Sequence, residues 1–262
     1  MKGNAPASPA AAAAAESGAE APPFALNPAL DAATLGERFA ARGRVHIADF
    51  LATEGAARLL AHLRERPDWI LVINQEDKLF ELDRAAQAAL TETQKAQLDV
   101  AVHRSARGGF QYRYETIRVP DSTAARAAEP TPLTRFADFL ASPAVLAFLR
   151  AVTGAGGIGF ADAQATAYSP GHFLTAHDDD VAGKNRAAAY VMNLSTEWRA
   201  DWGGLLMFEG ADGHIEEAYV PRFNALNLFR VPARHCVSYV APFAPWRRYS
   251  VTGWLRTIAP PD

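Results

Sequence analysis

The sequence predicts an α+β fold in which helices from the N-terminal half pack against an all-β core. Two observations carry this prediction. Helix-like segments with capping residues dominate the first part of the chain, whereas residues 160–255 form short apolar runs separated by Gly, Pro and Asp turns. Helical segments followed by a block of regularly spaced short strands are typical of proteins whose strands close into a sandwich or barrel.

The length and composition are compatible with one large core. The chain has 262 residues, of which 49% are hydrophobic, and this fits a single large domain. We expect residues 1–25 to be a disordered tail, because Ala, Pro, Ser and Gly cannot bury enough apolar surface to offset the entropy of ordering. Residues 26–262 are expected to form one domain, with its β core at about 157–257.

Charge and cysteine content narrow the classes of function. Lys+Arg number 26 against Asp+Glu 29, a formal net charge of -3, so nothing favours nucleic acid or an anionic membrane as a partner. No apolar run of about 20 residues predicts a transmembrane helix, and the N-terminal alanine run lacks the larger apolar residues of a secretion signal. Cys236 is the single cysteine, so no intramolecular disulfide can form, and a reducing, cytoplasmic location is the natural expectation.

The N-terminal half predicts both helices and strands. Thr53 and Thr91 stand where an N-cap residue accepts backbone N–H groups, and Gly108 stands where a helix ends. In chain order we expect a helix at 35–42, a strand at 44–50, a helix from Thr53 to Leu63, a hairpin at 69–73 and 78–82, a helix at 91–107, a strand at 110–119, a polar loop at 122–132, and short helices at 132–140 and 143–152.

The C-terminal half predicts strands throughout. Apolar alternation between turn residues indicates eight of them, and eight short strands with regular spacing predict an all-β sandwich or barrel. These strands are expected at 160–168, 172–178, 186–194, 204–209, 215–220, 225–230, 235–240 and 248–255.

Two histidines and a carboxylate form the main chemical hypothesis. His177 and Asp179 are two residues apart, so on a strand their side chains face the same side while Asp178 points away. His235 opens a later strand, which a closed double sheet can bring to the same mouth. Two imidazoles and one carboxylate on one face leave coordination positions open, which is the arrangement of a non-haem Fe(II) oxygenase. A Ca²⁺ site at residues 178–180 is the competing interpretation, although the spacing of an EF-hand loop is missing.

Arg248 supplies a third element of the same hypothesis. A guanidinium can bind the distal carboxylate of 2-oxoglutarate through two hydrogen bonds, and Ser250 lies on the same strand face. Each feature alone is common: most His-x-Asp triplets are solvated strand ends, and most arginines are surface charges. A cupin-like enzyme using another metal would leave Arg248 unexplained.

The order of these motifs resembles a known family. Residues 167–179 (AYSPGHFLTAHDD) are similar to the metal-site strand of the prolyl 4-hydroxylase-like group of 2-oxoglutarate/Fe(II) oxygenases. The resemblance covers about 160–256 and continues through YVMNLSTEW (190–198), WGGLLMF (202–208), PRFNALNLF (221–229), HCVSYV (235–240) and RYSVTGW (248–254).

The resemblance implies a fold and a set of site residues. The fold is a double-stranded β-helix, or jelly roll, with Fe(II) bound by His177, Asp179 and His235 at its open end. Arg248 would bind the C5 carboxylate of 2-oxoglutarate, and Tyr168 matches a tyrosine that hydrogen-bonds this cosubstrate. Another cosubstrate contact lies within 190–193.

The resemblance also implies an activity. Oxidative decarboxylation of 2-oxoglutarate by O₂ would drive hydroxylation of an unactivated C–H, with ascorbate as a further candidate cofactor. A prolyl residue in a peptide or protein is the implied substrate, a free amino acid or small metabolite is the alternative, and a non-catalytic jelly-roll binding module is a third hypothesis. Candidates for the substrate side are Tyr112, Arg113, Tyr114, Arg118, Trp198 and Trp202.

Overall fold

The computed structural model describes residues 24–52, 54–76 and 78–258. Within them lie seven α-helices and thirteen strands. The helices are α1 (Ala32–Arg42), α2 (Gly55–Glu65), α3 (Arg84–Ala89), α4 (Glu92–Gly108), α5 (Thr123–Ala128), α6 (Pro132–Leu140) and α7 (Pro143–Thr153). The strands are β1 (Arg44–Ile47), β2 (Ile70–Gln75), β3 (Lys78–Leu82), β4 (Tyr112–Arg118), β5 (Phe160–Ala161), β6 (Gln164–Tyr168), β7 (Phe173–His177), β8 (Arg186–Asn193), β9 (Leu206–Glu209), β10 (Ile215–Tyr219), β11 (Ala225–Arg230), β12 (His235–Val237) and β13 (Arg248–Arg256).

Local sequence signals explain where the helices begin and end. Thr91 and Gln94 form a capping box at the start of α4, since each side chain binds the other residue's backbone N–H. Asp31 caps α1, which ends at Gly43 in the left-handed conformation, φ 68°. Proline occupies the first turn of both α6 and α7, where its missing N–H costs no hydrogen bond.

The strands form one antiparallel sheet that curls into a nearly closed barrel. Its order is β1-β11-β8-β13-β6-β4-β7-β12-β9-β10, with β2 and β3 extending from β4 and β5 pairing with β13. One layer contains β6, β8, β11 and β13, the other contains β7, β9, β10 and β12, and β4 hydrogen-bonds to both. This is the double-stranded β-helix that the sequence predicts.

The two ends of the sheet, β1 and β10, meet through side chains. Arg44 donates from Nε to Glu217 over 2.7 Å and from Nη2 to Glu216 over 2.9 Å. Its guanidinium also lies 4.8 Å from the centroid of the Phe208 ring. The seam between β1 and β10 is therefore closed by an ion-pair cluster, whereas the other neighbouring strands are joined by backbone hydrogen bonds.

The main core lies between the helices and the sheet layer that contains β6, β8, β11 and β13. Phe39, Leu59, Phe136 and Leu149 from four helices pack there against that layer. A second apolar cluster, formed by Ala189, Val191, Leu206, Phe208 and Phe229, fills part of the barrel interior. The helices thus support one wall of the barrel from outside and leave its interior to the site.

The structure corrects several element boundaries. The strand predicted at 160–168 is broken at Asp162, because its carboxylate accepts a hydrogen bond from the Trp254 N–H and its carbonyl accepts one from the Tyr190 hydroxyl. The polar loop predicted at 122–132 contains α5, which Ser122 caps. The short helix α3 was not predicted. Thr53, the predicted cap of α2, lies outside the described residues, and so does the predicted tail except for Ala25 and the buried Phe24.

No single helix in the described ranges is long and apolar enough to cross a membrane; α6 and α7 meet that test only as a pair, bent by 57° at their junction.

Candidate metal centre

His177, Asp179 and His235 converge at one end of the barrel. β7 ends at His177, β12 begins at His235, and the two residues are direct partners in the ladder. The Nε2 atoms of His177 and His235 each lie 3.5 Å from a different carboxylate oxygen of Asp179. One potential ligand atom from each residue falls within 4.8 Å of the other two. The structure therefore brings together the three side chains that the sequence singles out.

Asp179 reaches this point by a turn, which corrects the predicted strand geometry. β7 stops at His177, and Asp179 has φ 65°, in the left-handed region. Asp tolerates this region better than most residues. Arg186 Nη1 donates a hydrogen bond to the Asp179 carbonyl over 2.9 Å. The strand-parity argument selects the right residue, but the backbone turn is what aims its carboxylate.

Backbone carbonyls fix both imidazole rings. Nδ1 of His177 lies 3.0 Å from the carbonyl oxygen of Thr175, and Nδ1 of His235 lies 2.7 Å from that of Ala233. A carbonyl can only accept, so Nδ1 carries the proton in each neutral ring. The Nε2 lone pairs are then directed at the shared point, which is the tautomer that metal ligation requires.

The electrostatics favour the ligand forms of these groups. Burial, together with the charge of His177, lowers the pKa of His235 to about 4, so this ring stays neutral. Burial opposes ionisation of Asp179, but the hydrogen bond and charge of His177 and the charge of His235 outweigh it and hold the pKa of this carboxyl below its usual range. At neutral pH the site thus holds an ionised Asp179 carboxylate beside the neutral imidazole of His235.

Arg248 lies deeper in the same cavity without an anionic partner. Its side chain is 1% exposed, and Nε and Nη1 are buried without a hydrogen-bond partner. Among the described residues no carboxylate forms an ion pair with it; its neighbour is the Tyr168 ring, 5.1 Å from the guanidinium carbon to the ring centroid. Burial lowers the pKa of Arg248. A buried, unpaired guanidinium is costly, and an anionic ligand would offset that cost.

A cavity of about 390 Å³ joins these features. On its floor Ser250 and Thr166 share a hydrogen bond of 2.8 Å. One wall is a row of four aromatic rings, three of them at alternate positions in and just before β4 and the fourth at the end of β6. Successive centroids in that row are 5.3–5.6 Å apart, and the ring of Phe110 lies 5.4 Å from that of His177. The row consists of Phe110, Tyr112, Tyr114 and Tyr168.

Of the four substrate-side residues predicted on β4, two line the cavity and two do not. Tyr112 and Tyr114 line the cavity, and burial raises the pKa of Tyr114 to about 12. Arg113 does not line it and pairs with Asp99. Arg118 is also absent from the lining, and its Nη2 lies 2.7 Å from Glu81.

Trp198 and Trp202 do not line the cavity. They pack edge-to-face at 5.6 Å in an apolar cluster that includes the cavity residue Tyr168, and Trp198 Nε1 donates to the Gly203 carbonyl. Of the segment 190–193, Tyr190 and Val191 border the cavity, while Asn193 is buried with its Oδ1 unpaired. Cys236 is buried, and burial raises the pKa of its thiol to about 11.

Arg186 and Trp254 are two of the cavity residues that the sequence interpretation missed. The guanidinium of Arg186 lies 3.6 Å from the centroid of the Trp254 ring, and both side chains border the metal ligands. Trp254 is at an even offset from Arg248 on β13, so strand alternation places it on the same face. That signal was available in the sequence. The position of Arg186 was not, because it depends on the turn at Asp179.

A jelly roll that presents two imidazoles and one carboxylate to a cavity has the donor set of the non-haem iron oxygenases. Residues 163–256 match the family model described as the 2OG-Fe(II) oxygenase superfamily. The matched segment is the β core, which is thus similar to a superfamily of oxidoreductases that use Fe(II) and 2-oxoglutarate, and the fold of the chain is that of the prolyl 4-hydroxylase-like group. No curated protein matches the chain in sequence.

Solved structures agree on the fold. A prolyl-4-hydroxylase from Pseudomonas putida is 20% identical, with a TM-score of 0.55 over 86% of this chain and 98% of that one. A prolyl hydroxylase from Trichoplax adhaerens, in complex with a hypoxia inducible factor peptide fragment, is 14% identical, with a TM-score of 0.56 over 86% and 89%. The α-ketoglutarate-dependent epimerase SnoN from nogalamycin biosynthesis is 15% identical, with a TM-score of 0.51 over 86% and 83%.

Proposed function

We propose that this chain is an Fe(II)- and 2-oxoglutarate-dependent hydroxylase that acts on a prolyl residue of a peptide or protein. The observation that carries the proposal is the pairing, in one cavity, of the His177, Asp179 and His235 triad with the unpartnered guanidinium of Arg248. Either feature alone would suit several kinds of binding site, whereas both together suit a metal with a chelating dicarboxylate.

The triad fits Fe(II). His177 and His235 would each offer Nε2 and Asp179 one carboxylate oxygen, while the Nδ1–H bonds to backbone carbonyls keep both rings in place. Three protein ligands leave three positions for the cosubstrate and O₂. Because Asp179 is already ionised and His235 already neutral, neither of these two ligands needs to lose a proton to bind the metal near pH 7.

Arg248 fits the distal carboxylate of 2-oxoglutarate. Its guanidinium, whose Nε and Nη1 have no partner, offers the fork of N–H donors that a planar carboxylate binds in a bidentate manner. Ser250 on the same strand face offers a hydroxyl, and the Tyr168 ring covers the guanidinium. Burial raises the pKa of Tyr168 above its usual range, so its hydroxyl remains a donor.

The protein's contribution to the reaction is placement and exclusion of water. Bound iron supplies the oxidising chemistry, in which one O₂ converts 2-oxoglutarate and a C–H group to succinate, CO₂ and a C–OH group. Arg248 and Ser250 would orient the cosubstrate, and the aromatic row would shield the centre from solvent. Phe110, 49% exposed beside His177, marks the entrance by which a substrate reaches the iron.

A prolyl substrate is supported by the two prolyl hydroxylases of similar fold, one of them bound to a peptide. The apolar aromatic wall also suits a pyrrolidine ring better than a charged side chain. A free amino acid remains the alternative substrate. The fold also carries an epimerase, so the product must be identified and not only the consumption of 2-oxoglutarate.

The experiment is product analysis with matched variants. Protein loaded anaerobically with Fe(II) is mixed with 2-oxoglutarate, ascorbate, O₂ and a peptide library containing proline, with alanine counterparts and free amino acids as controls. We expect succinate and a peptide heavier by one oxygen atom. Asp179→Ala and Arg248→Gln should abolish both, while Arg199→Gln, on an exposed arginine, should not. Undiminished turnover by Asp179→Ala would refute the iron assignment. Hydroxylation of free proline alone would refute the peptide assignment.

A further inference from the structure

Directly behind the cavity lies a buried carboxylate that the proposed reaction does not use. Glu115 is on β4 next to Tyr114, but strand alternation turns it to the outer face of the sheet. It is 2% exposed, and neither carboxylate oxygen makes an aligned hydrogen bond. A carboxylate in such a place must be held by cations.

Two arginines provide that charge. Arg84 Nη2, from the first residue of α3, lies 3.3 Å from one oxygen of Glu115, and Arg247 Nη2 lies 3.4 Å from the other. Arg84 and Arg247 are about one-third exposed, so the carboxylate is the buried member of the group. Glu115 therefore connects the α3 side of the molecule to the residue that precedes β13.

Arg247 is the neighbour of the cosubstrate clamp. It immediately precedes Arg248, and its Nε donates to Ser169 Oγ over 3.2 Å. Ser169 in turn follows Tyr168, the ring that covers the Arg248 guanidinium. The outer-face contacts of Arg247 thus hold the two chain segments that carry Arg248 and Tyr168.

The strand register makes this connection direct. Glu115 and Tyr249 are both paired with Ala167, while Arg248 is paired with Tyr168. One row of side chains across β4, β6 and β13 faces outward, and the adjacent row faces the cavity. A shift of the outer row at the start of β13 would therefore move the guanidinium in the inner row.

We propose that Glu115 is a positioning residue for the 2-oxoglutarate site, acting through Arg247 to fix the start of β13 and the direction of Arg248. Within the described part of the chain no carboxylate orients Arg248, so its direction depends on the backbone that carries it. Of the two adjacent arginines, Arg247 is neutralised by Glu115 on the outer face of the sheet. Arg248 is the one that carries an uncompensated charge and faces the cavity. The inference rests on the role proposed above for Arg248.

The test compares 2-oxoglutarate affinity among five variants. Equilibrium dialysis with labelled 2-oxoglutarate is performed on anaerobic Fe(II)-loaded protein. Glu115→Gln keeps the shape of the side chain and removes its charge, and Arg247→Gln removes the partner. We expect each to raise Kd for 2-oxoglutarate about tenfold, the lower end of the loss seen when an outer-shell partner of a site is removed. The double variant should lose little more than either single variant, because both break one connection.

Arg84→Ala is the matched control. It removes the other partner of Glu115, on the α3 side, and should lower the melting temperature while leaving Kd for 2-oxoglutarate within about twofold of the parent, as expected for an uncoupled site. Steady-state assays should show a raised KM for 2-oxoglutarate with kcat nearly unchanged in Glu115→Gln and Arg247→Gln. A purely structural role would give parallel losses in all three variants and would overturn the proposal.

The remaining outcomes separate this inference from the proposed function. Arg248→Gln should lose 2-oxoglutarate binding; if it binds normally, the clamp itself is misassigned. If Arg248→Gln loses binding while Arg247→Gln binds like the parent, only the positioning role fails. Arg247→Gln decides the question even if Glu115→Gln does not fold, because Arg247 is partly exposed.

Discussion

Arg186 Nη1 donates a hydrogen bond to the backbone carbonyl of Asp179 over 2.9 Å, and the same atom lies 3.9 Å from the Asp179 carboxylate. The left-handed conformation of Asp179 costs on the order of 1 kcal/mol or more. Arg186, itself held over the Trp254 ring, stabilises the turn that aims the carboxylate. The cation is therefore part of the support of the metal centre, in addition to its position on the cavity wall.

Replacement of Arg186 should weaken metal binding. Arg186→Gln removes the charge and the cation–π contact, so we expect metal affinity to fall about tenfold, as for other outer-shell partners. Arg186→Lys should fall between this variant and the parent, because it keeps the charge but not the planar stacking surface. Calorimetric titration with Co²⁺ measures the effect, with Arg199→Gln as the control. An unchanged affinity in Arg186→Gln would contradict the role given to this residue.

His235 should make the stability of the metal-free protein depend on pH. Its pKa is lowered to about 4, whereas an unfolded histidine titrates near 6.5. Between these values the unfolded state binds more protons than the folded state, so the free energy of unfolding falls as the pH falls from about 6.5 to 4. Above this window both states are neutral at His235 and the contribution is constant.

His235→Gln tests that dependence. Urea unfolding in the presence of a chelator, at several pH values, should show a flatter profile for the variant than for the parent between about pH 6.5 and 4. His172, whose pKa burial lowers to about 3, contributes in the same direction in both proteins and cancels in the comparison. Parallel profiles would mean that His235 is not a desolvated neutral imidazole.

Tyr112 should affect the substrate more than the cosubstrate. It lies in the aromatic row between Phe110 and Tyr114, away from Arg248. Tyr112→Ala removes a ring from the wall, so we expect KM for the peptide substrate to rise about tenfold, a typical loss for a hydrophobic contact of this size. KM for 2-oxoglutarate should stay the same. Equal increases in KM for the peptide and KM for 2-oxoglutarate would contradict the assignment of Tyr112 to the substrate side of the cavity.

Gly253 should tolerate no side chain. A Cβ at this position would collide with the carbonyl oxygen of Asp162, where the first strand of the barrel core is broken. The Asp162 carbonyl is a backbone group and cannot rotate away as a side chain could. We therefore expect Gly253→Ala to destabilise the fold by about 1–3 kcal/mol or more. Gly156→Ala, which meets no atom within 4 Å, is the control. Urea unfolding of both variants measures the difference.

The sequence alone predicts the candidate metal-site residues because the signals for them are local. His177 and Asp179 are two residues apart in the chain, and the order of His235 and Arg248 after them resembles a family pattern. The strand alternation that selects Ser250 also applies to Trp254. These residues are found by spacing and parity, which require no knowledge of the tertiary structure.

The supporting residues could not be found in this way. Arg186 reaches Asp179 only because of a left-handed turn, and Glu115 reaches Arg247 only because β4 and β13 both flank β6. Such contacts depend on the pairing of strands far apart in the chain. The helices α3 and α5 were missed for another reason: each has six residues, and helices this short depend on their surroundings more than on their own propensity.

The seam between β1 and β10 gives the barrel one side that can open more easily than the rest. Separation there breaks charge-assisted hydrogen bonds from Arg44 but no backbone ladder, so local opening should begin at this side and become easier in high salt. Arg44 lies over Phe208, whose ring centroid is 6.1 Å from that of His235. Movement of the seam would therefore be transmitted to the candidate metal ligand His235 through the Phe208 ring. We therefore expect the retention of the proposed iron at high ionic strength to depend on Glu216 and Glu217, which lie outside the proposed set of metal ligands.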